Sequence, residues 1–133
     1  MKARTPFLLA NLILAALLLP GCGGKNSDEG PQVAVTPPKP QEAASQIEQA
    51  FVNTTPEVKS VANVASQALR TADYEAAVQS LEMIKEKGGL TFEQGIAVHN
   101  SMVSLEAKLI AAMDAGDPNA KRAYEQLKKA RRN

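Results

Sequence analysis

The chain has 133 residues and a mass of 14.1 kDa, which is enough for one domain and too little for two ordinary ones. Its 15 Lys and Arg balance 14 Asp and Glu, so the strong positive charge of a nucleic-acid-binding protein is missing and we expect no nucleic-acid partner. The single cysteine excludes an internal disulfide, and the single histidine excludes a His-rich or Cys/His zinc site.

The first 21 residues have the pattern of an export signal. Lys2 and Arg4 form a short positive segment, and an apolar run from Phe7 to Leu19 follows it. The run is shorter than the roughly 20 apolar residues that a membrane-spanning helix needs. Directly behind it stands the only cysteine of the chain, in the sequence Leu19-Pro20-Gly21-Cys22.

These four residues resemble the lipobox of bacterial lipoproteins, which places Leu three residues before the Cys and a small residue just before it. The resemblance implies that signal peptide 1–21 is removed and that Cys22 carries a lipid on its sulfur and a fatty acid such as palmitate on its new amino terminus. Because Gly23 rather than Asp follows, it further implies an outer membrane position facing the periplasm where the cell has two membranes. The alternative is an ordinary secretory signal with an incidental cysteine.

Residues 22–41 are predicted to form the lipidated cysteine and a flexible, disordered tether. Glycines supply conformational freedom in this stretch, and prolines disfavour helix and favour extended chain. We expect the tether to hold a domain away from the lipid headgroups, and the alternative is a short proline-based recognition motif. The residues concerned are Gly23, Gly24, Gly30, Pro31, Pro37, Pro38 and Pro40.

From residue 42 to residue 133 the sequence predicts helices. A first amphipathic helix extends from Glu42 to near Asn53, and Thr55-Pro56-Glu57 is typical of the start of a second. Asp73 is predicted to cap a third helix, which Gly88 and Gly89 end. The capping-box pattern Thr91-Phe92-Glu93-Gln94 begins a fourth, and Asp117-Pro118 begins a fifth.

Each of these helices has apolar residues at helical spacing on one side, which predicts a common core. No segment alternates with the period of a strand, and the connections are short enough for antiparallel neighbours. We therefore predict an all-α domain, either a small antiparallel bundle or an array of helical hairpins. The predicted core positions are Ala43, Ala44, Ile47, Ala50, Phe51, Val58, Val61, Ala62, Ala65, Ala68, Leu69, Tyr74, Ala77, Val78, Leu81, Ile84, Val98, Met102, Leu105, Leu109, Met113, Ala120, Ala123, Tyr124 and Leu127.

The stretch from Val64 to Ile84 resembles a tetratricopeptide-type helical hairpin. Val64, Ala65 and Ala68 match the first helix of such a repeat, and Asp73-Tyr74-Glu75-x-Ala77 matches its turn and the start of its second helix. Residues 117–127 echo the second helix at a distance of 43 residues, compared with the 34 residues typical of that repeat. The resemblance implies a hairpin array, and a generic helical bundle is the alternative.

Candidate catalytic groups are few. His99 shares an apolar stripe with Phe92, Ile96 and Val103, so we expect a packed or boundary histidine rather than a catalyst or ligand. Ser101 and Ser104 lack the context of an activated serine, and we interpret them as surface residues. We expect no catalytic site, no metal site and no cofactor, and therefore no enzyme.

Positive charge is concentrated at the carboxyl end. Residues 22–120 have 7 positive and 13 negative side chains, whereas residues 121–133 have six positive and one negative. One interpretation is a solvated helix end whose cations complement the helix dipole, and the other is a patch that binds an anionic surface. The cations are Lys121, Arg122, Lys128, Lys129, Arg131 and Arg132.

The sequence thus predicts a lipid-anchored protein of the bacterial cell envelope, attached to the membrane through Cys22. We expect the helical domain to be a non-enzymatic adaptor that binds another envelope protein through a groove or a helix face. The alternative is an electrostatic binder of anionic lipid or cell-envelope polymer that uses the basic last helix.

Overall fold

A computed structural model describes residues 36–132, and it contains five helices and no strand within that range. The predicted all-α class and the number of helices are therefore confirmed. The predicted signal peptide, the lipobox with Cys22 and the tether up to residue 35 lie outside the described residues. The helices are α1 (Pro40–Ala50), α2 (Pro56–Thr71), α3 (Tyr74–Lys87), α4 (Phe92–Asp114) and α5 (Pro118–Ala130).

Three predicted helix starts are formed by the expected side chains. The Asp73 carboxylate accepts a hydrogen bond of 3.2 Å from the backbone N–H of Ala76, at the start of α3. At the start of α4, the Thr91 hydroxyl accepts from the Gln94 N–H at 3.2 Å, and the Gln94 side chain accepts from the Thr91 N–H at 3.1 Å. The Asp117 carboxylate accepts from the backbone N–H of Asn119 at 2.8 Å, so each cap satisfies a donor that the helix leaves free.

Two helix starts differ from the prediction. The first helix begins at Pro40, inside the predicted tether, because proline in the first helical position loses no hydrogen bond. The Glu42 carboxylate accepts the backbone N–H of Lys39 there, at 3.1 Å. Thr55 occupies the cap position of α2 without capping it. The backbone N–H of Glu57, and after it the Thr55 hydroxyl, lowers the pKa of the Glu57 carboxyl.

The five helices form a bundle around one core. The first helix packs against α2 and α4, and α5 packs against α3 and α4. The contact between α1 and α4 joins helices that are three apart in the sequence, whereas the units of a repeat array contact their neighbours. Of the two predicted architectures, the observed packing is that of a bundle.

Most of the predicted core positions are confirmed, but Ala50, Val58, Val61, Tyr74, Met113 and Tyr124 are only partly buried at its edge. Ile47, Leu81, Ile84 and Leu109 are fully buried, together with many alanines from every helix. Small side chains at the contacts let helix axes approach closely, which is how a chain with few aromatic residues fills its core. In the hairpin of α2 and α3, Val64 is half-exposed, and the tetratricopeptide resemblance itself stays a prediction.

Candidate functional site

The fourth helix has apolar residues on two opposite sides. Val98, Met102, Leu105 and Leu109 face the core and are buried, as predicted. The other side faces outward, where Phe92 is 86% exposed, Ile96 is 44% exposed and Ile110 is 43% exposed. Half-buried Val103 and exposed Ala107 complete this line. We call the five outward residues the α4 face: Phe92, Ile96, Val103, Ala107 and Ile110.

A groove follows each edge of the α4 face. On one edge Asn100 donates a hydrogen bond of 2.9 Å to the Gln46 side chain of α1, and a shallow groove of about 160 Å³ lies beside it. On the other edge, next to His99, a wider groove of about 670 Å³ lies between α4 and the ends of α3 and α5. Its lining includes Leu90, Met102, Val103, Lys85, Glu106 and Arg131. The α4 face is therefore a ridge with a groove on either side.

Of the two positions expected for His99, packed in the core or at its boundary, the packed one is wrong. The stripe that it shares with Phe92 and Ile96 faces away from the core, so His99 is exposed and not packed. Because α4 has an apolar stripe on each side, helical spacing alone does not tell which one is buried. The outward line has a signal of its own in the sequence, since Ile96, Val103 and Ile110 are spaced seven residues apart.

The expectation that Ser101 and Ser104 lie on the surface is also wrong, because both are buried. The Ser101 hydroxyl donates to the backbone carbonyl of Ala97 at 2.8 Å, a helix-internal bond that removes the need for water. Ser101 also approaches the carbonyl of Ala43 at 3.5 Å, where α4 packs against α1. These serines act as small core residues, and the recorded partners of Ser101 within residues 36–132 are backbone carbonyls.

All six predicted cations of the last helix are exposed, and three of them form ion pairs. Arg122 pairs with Glu75 of α3 at 3.2 Å, and Lys128 pairs with Glu125 at 3.1 Å. Arg131 pairs with Glu106 of α4 at 2.7 Å. Arg131 follows the end of α5, and its ion pair with Glu106 directs its charge toward α4.

The other three cations have no ion pair within residues 36–132: Lys121, Lys129 and Arg132. They lie on the outward side of the α5 segment, away from buried Ala120, Ala123 and Leu127. The Glu125 carboxylate lies on the same outward side and lowers the local positive charge. The basic patch is therefore smaller than the sequence predicts.

The strongest electrostatic cluster of the described residues joins α1 to α2. Arg70 binds the Glu48 carboxylate with both terminal nitrogens, one of them at 2.9 Å, and the buried Ser66 hydroxyl donates to the same carboxylate. The hydrogen bond from Arg70, and after it that from Ser66, lowers the pKa of Glu48 to about 2. The charged and polar groups of this cluster are hydrogen-bonded to one another, so we interpret the cluster as a structural link between α1 and α2 rather than a reactive site.

Within the described part of the chain, no group of three or more His, Cys, Asp or Glu residues is placed to hold a metal ion. None of the helices in that part combines the length and the apolarity needed to cross a bilayer. Comparison with protein-family models, with curated proteins and with solved structures finds no match to this chain. The α4 face and the three cations without an ion pair among residues 36–132 (Lys121, Lys129 and Arg132) are therefore the candidate functional surfaces on structural grounds alone.

Proposed function

We propose that the chain is a lipid-anchored protein of the bacterial cell envelope, whose helical domain is a non-enzymatic adaptor. In this proposal the α4 face binds another envelope protein. The observation that carries the proposal is the exposure of Phe92, Ile96 and Ile110 along one side of one helix. Where the cell has two membranes, the proposed position is the outer membrane, facing the periplasm, as the lipobox resemblance implies.

The α4 face has the physical character of a binding surface. Burying apolar area contributes about 25 cal/mol per Å², so leaving a line of Phe, Ile and Val in water forgoes stabilisation that a partner would supply. Single exposed apolar residues are ordinary, but several of them aligned on one side of a helix are typical of an interaction surface. One apolar side of α4 is covered by the other helices, and the opposite apolar side is not.

The tether supports the same proposal. Residues 22–39 would span up to about 60 Å when fully extended and far less as a relaxed coil. A lipid on Cys22 would keep the domain within this distance of the membrane, which raises its effective concentration for partners at that membrane. A modest interface is then sufficient for binding.

The free cations of α5 favour a second candidate function, electrostatic binding of anionic lipid or cell-envelope polymer. Each cation near an anionic surface contributes about 1 kcal/mol, and salt screens that contribution. Lys121, Lys129 and Arg132 together would supply about 3 kcal/mol, less than the 8.2 kcal/mol of a micromolar complex. We therefore place this function second.

Site-specific photo-crosslinking in cells tests the adaptor proposal. A photoreactive phenylalanine analogue replaces Phe92 in the full chain, and a matched variant carries it at half-exposed Val64 on α2. We expect Phe92 to give a discrete adduct with one other envelope protein, because the α4 face is buried against it. The control position should not give that adduct.

Salt separates the two candidate functions in the same experiment. An apolar interface persists at high ionic strength, so the Phe92 adduct should form equally well when salt is raised before illumination of isolated envelopes. An adduct that disappears with salt would favour the electrostatic function instead. Identical adduct patterns at Phe92 and Val64 would contradict the adaptor proposal.

A further inference from the structure

We propose that a cavity at the start of α1 binds a small organic carboxylate with a compact apolar body, such as an aromatic acid. The cavity has a volume of about 180 Å³ and lies where α1, α2, α3 and α4 come together. It shares no residue with the α4 face, so the inference goes beyond the adaptor proposal and does not depend on it. The lining residues that carry the argument are Gln41, Leu69, Arg70, Tyr74, Leu105 and Lys108.

The charge of the lining selects an anion. Arg70 and Lys108 line the cavity and no Asp or Glu of the described residues does, whereas each groove beside the α4 face contains a glutamate. Arg70 is already bound by the Glu48 carboxylate at 2.9 Å, which offsets its charge. Lys108 is exposed and forms no ion pair within residues 36–132, so one positive charge is left over. A singly charged anion therefore complements the cavity better than a dianion.

The apolar part of the lining selects a ligand with an apolar body. Leu69 and Leu105 are buried core residues that also border the cavity, so a ring laid against them would leave water. Tyr74 is half-buried at the same place, and its hydroxyl can orient a carboxylate by donating a hydrogen bond. A mainly apolar surface with a few polar groups is the usual composition of a small-molecule site.

The size of the cavity limits the ligand to a small molecule. Its volume of about 180 Å³ equals the liquid volume of about six water molecules. Pockets for larger organic ligands have roughly 300–1,000 Å³, so one ring with a carboxylate is near the upper limit here. Because the walls come from four helices, a molecule bound in the cavity would also hold the start of α1 against the rest of the bundle.

Fluorine NMR of 4-fluorobenzoate with the purified full chain in detergent tests the proposal. The dissociation constant follows from the broadening of the fluorine signal as the chain is added, with protein-free micelles as the blank. We expect Lys108→Gln to raise this constant about threefold to fivefold, as loss of a partly solvated ion pair does. Lys121→Gln is the matched control, because Lys121 is also an exposed lysine but lies outside the cavity, and it should leave the constant unchanged.

A carboxylate placed in the lining gives a second outcome. Gln41→Glu brings a like charge next to the bound anion, so we expect it to weaken binding by a similar factor. Gln41 is exposed in the first turn of α1, where an acidic side chain favours the helix, so the fold is preserved. Gln49→Glu is the matched control on the same helix, because Gln49 is exposed and lies outside the cavity.

Changes in the ligand test the two parts of the recognition. Neutral 4-fluorobenzamide should bind about threefold to fivefold more weakly than 4-fluorobenzoate, and fluoroacetate, which has the charge without the ring, at least about tenfold more weakly. No broadening beyond the micelle blank, or equal binding by wild type, Lys108→Gln and Gln41→Glu, would overturn the inference. Equal binding of the benzamide and the benzoate would also overturn it. Because these variants leave the α4 face unchanged, crosslinking from Phe92 decides the adaptor function separately.

Discussion

Leu81→Asp should remove most of the stability of the helical fold. Leu81 is fully buried on α3, in the cluster where all five helices meet. Removing a buried leucine side chain costs about 2–5 kcal/mol, and an aspartate there also loses water without gaining a partner. A domain of this size has roughly 5–14 kcal/mol of stability in total, so the substitution consumes most of it.

The measurement is urea unfolding of the chain from Thr36 onward, followed by helical circular dichroism. Met83→Asp is the matched control, because Met83 lies two residues away on the same helix and is 49% exposed. We expect the control to change the free energy of unfolding by less than about 1 kcal/mol. Equal midpoints for the two variants would show that α3 does not bury the side that contains Leu81.

Cys22→Ser should eliminate lipid attachment completely. If the lipobox resemblance holds, the Cys22 sulfur carries a diacylglyceryl group, and serine has no sulfur to form that thioether. Each buried CH₂ of an acyl chain contributes about 0.8 kcal/mol to membrane binding, so two or more chains make release slow. Because serine cannot form the thioether, we expect complete loss of lipid attachment in Cys22→Ser rather than a partial decrease.

Metabolic labelling with a clickable palmitate analogue measures this change in cells. The wild-type chain should be labelled and Cys22→Ser should not, while Cys22→Ser combined with the control Val64→Cys should stay unlabelled as well. The second variant shows that a thiol elsewhere in the chain does not replace Cys22. Equal labelling of wild type and Cys22→Ser would contradict the lipoprotein proposal.

Helix starts were predictable from the sequence where a single side chain caps the helix. Asp73, Thr91 and Asp117 cap their helices because a short polar side chain reaches a free backbone N–H three residues or fewer away. Such contacts depend on neighbours in the sequence and need no knowledge of the bundle. Pro40 was misjudged because the same proline that disfavours a helix interior is well suited to its first position.

The candidate site was less predictable because it depends on which helices meet. Two apolar stripes on α4 are equivalent until α1, α3 and α5 cover one of them. This packing buries Ser101 and exposes His99, and the type of neither residue predicts its burial. The pairing of Arg131 with Glu106 likewise joins residues from two helices, so the size of the basic patch follows from packing and not from charge counts.

The most direct test of the account is whether protein covers the α4 face in the cell. Ile96 is 44% exposed and Val64 is 50% exposed, so cysteines at these positions should react with a maleimide at similar rates in the isolated chain. In intact envelopes the account predicts that Ile96→Cys reacts about tenfold more slowly than Val64→Cys, as 1.4 kcal/mol of protection requires. Equal rates in the envelope would contradict it.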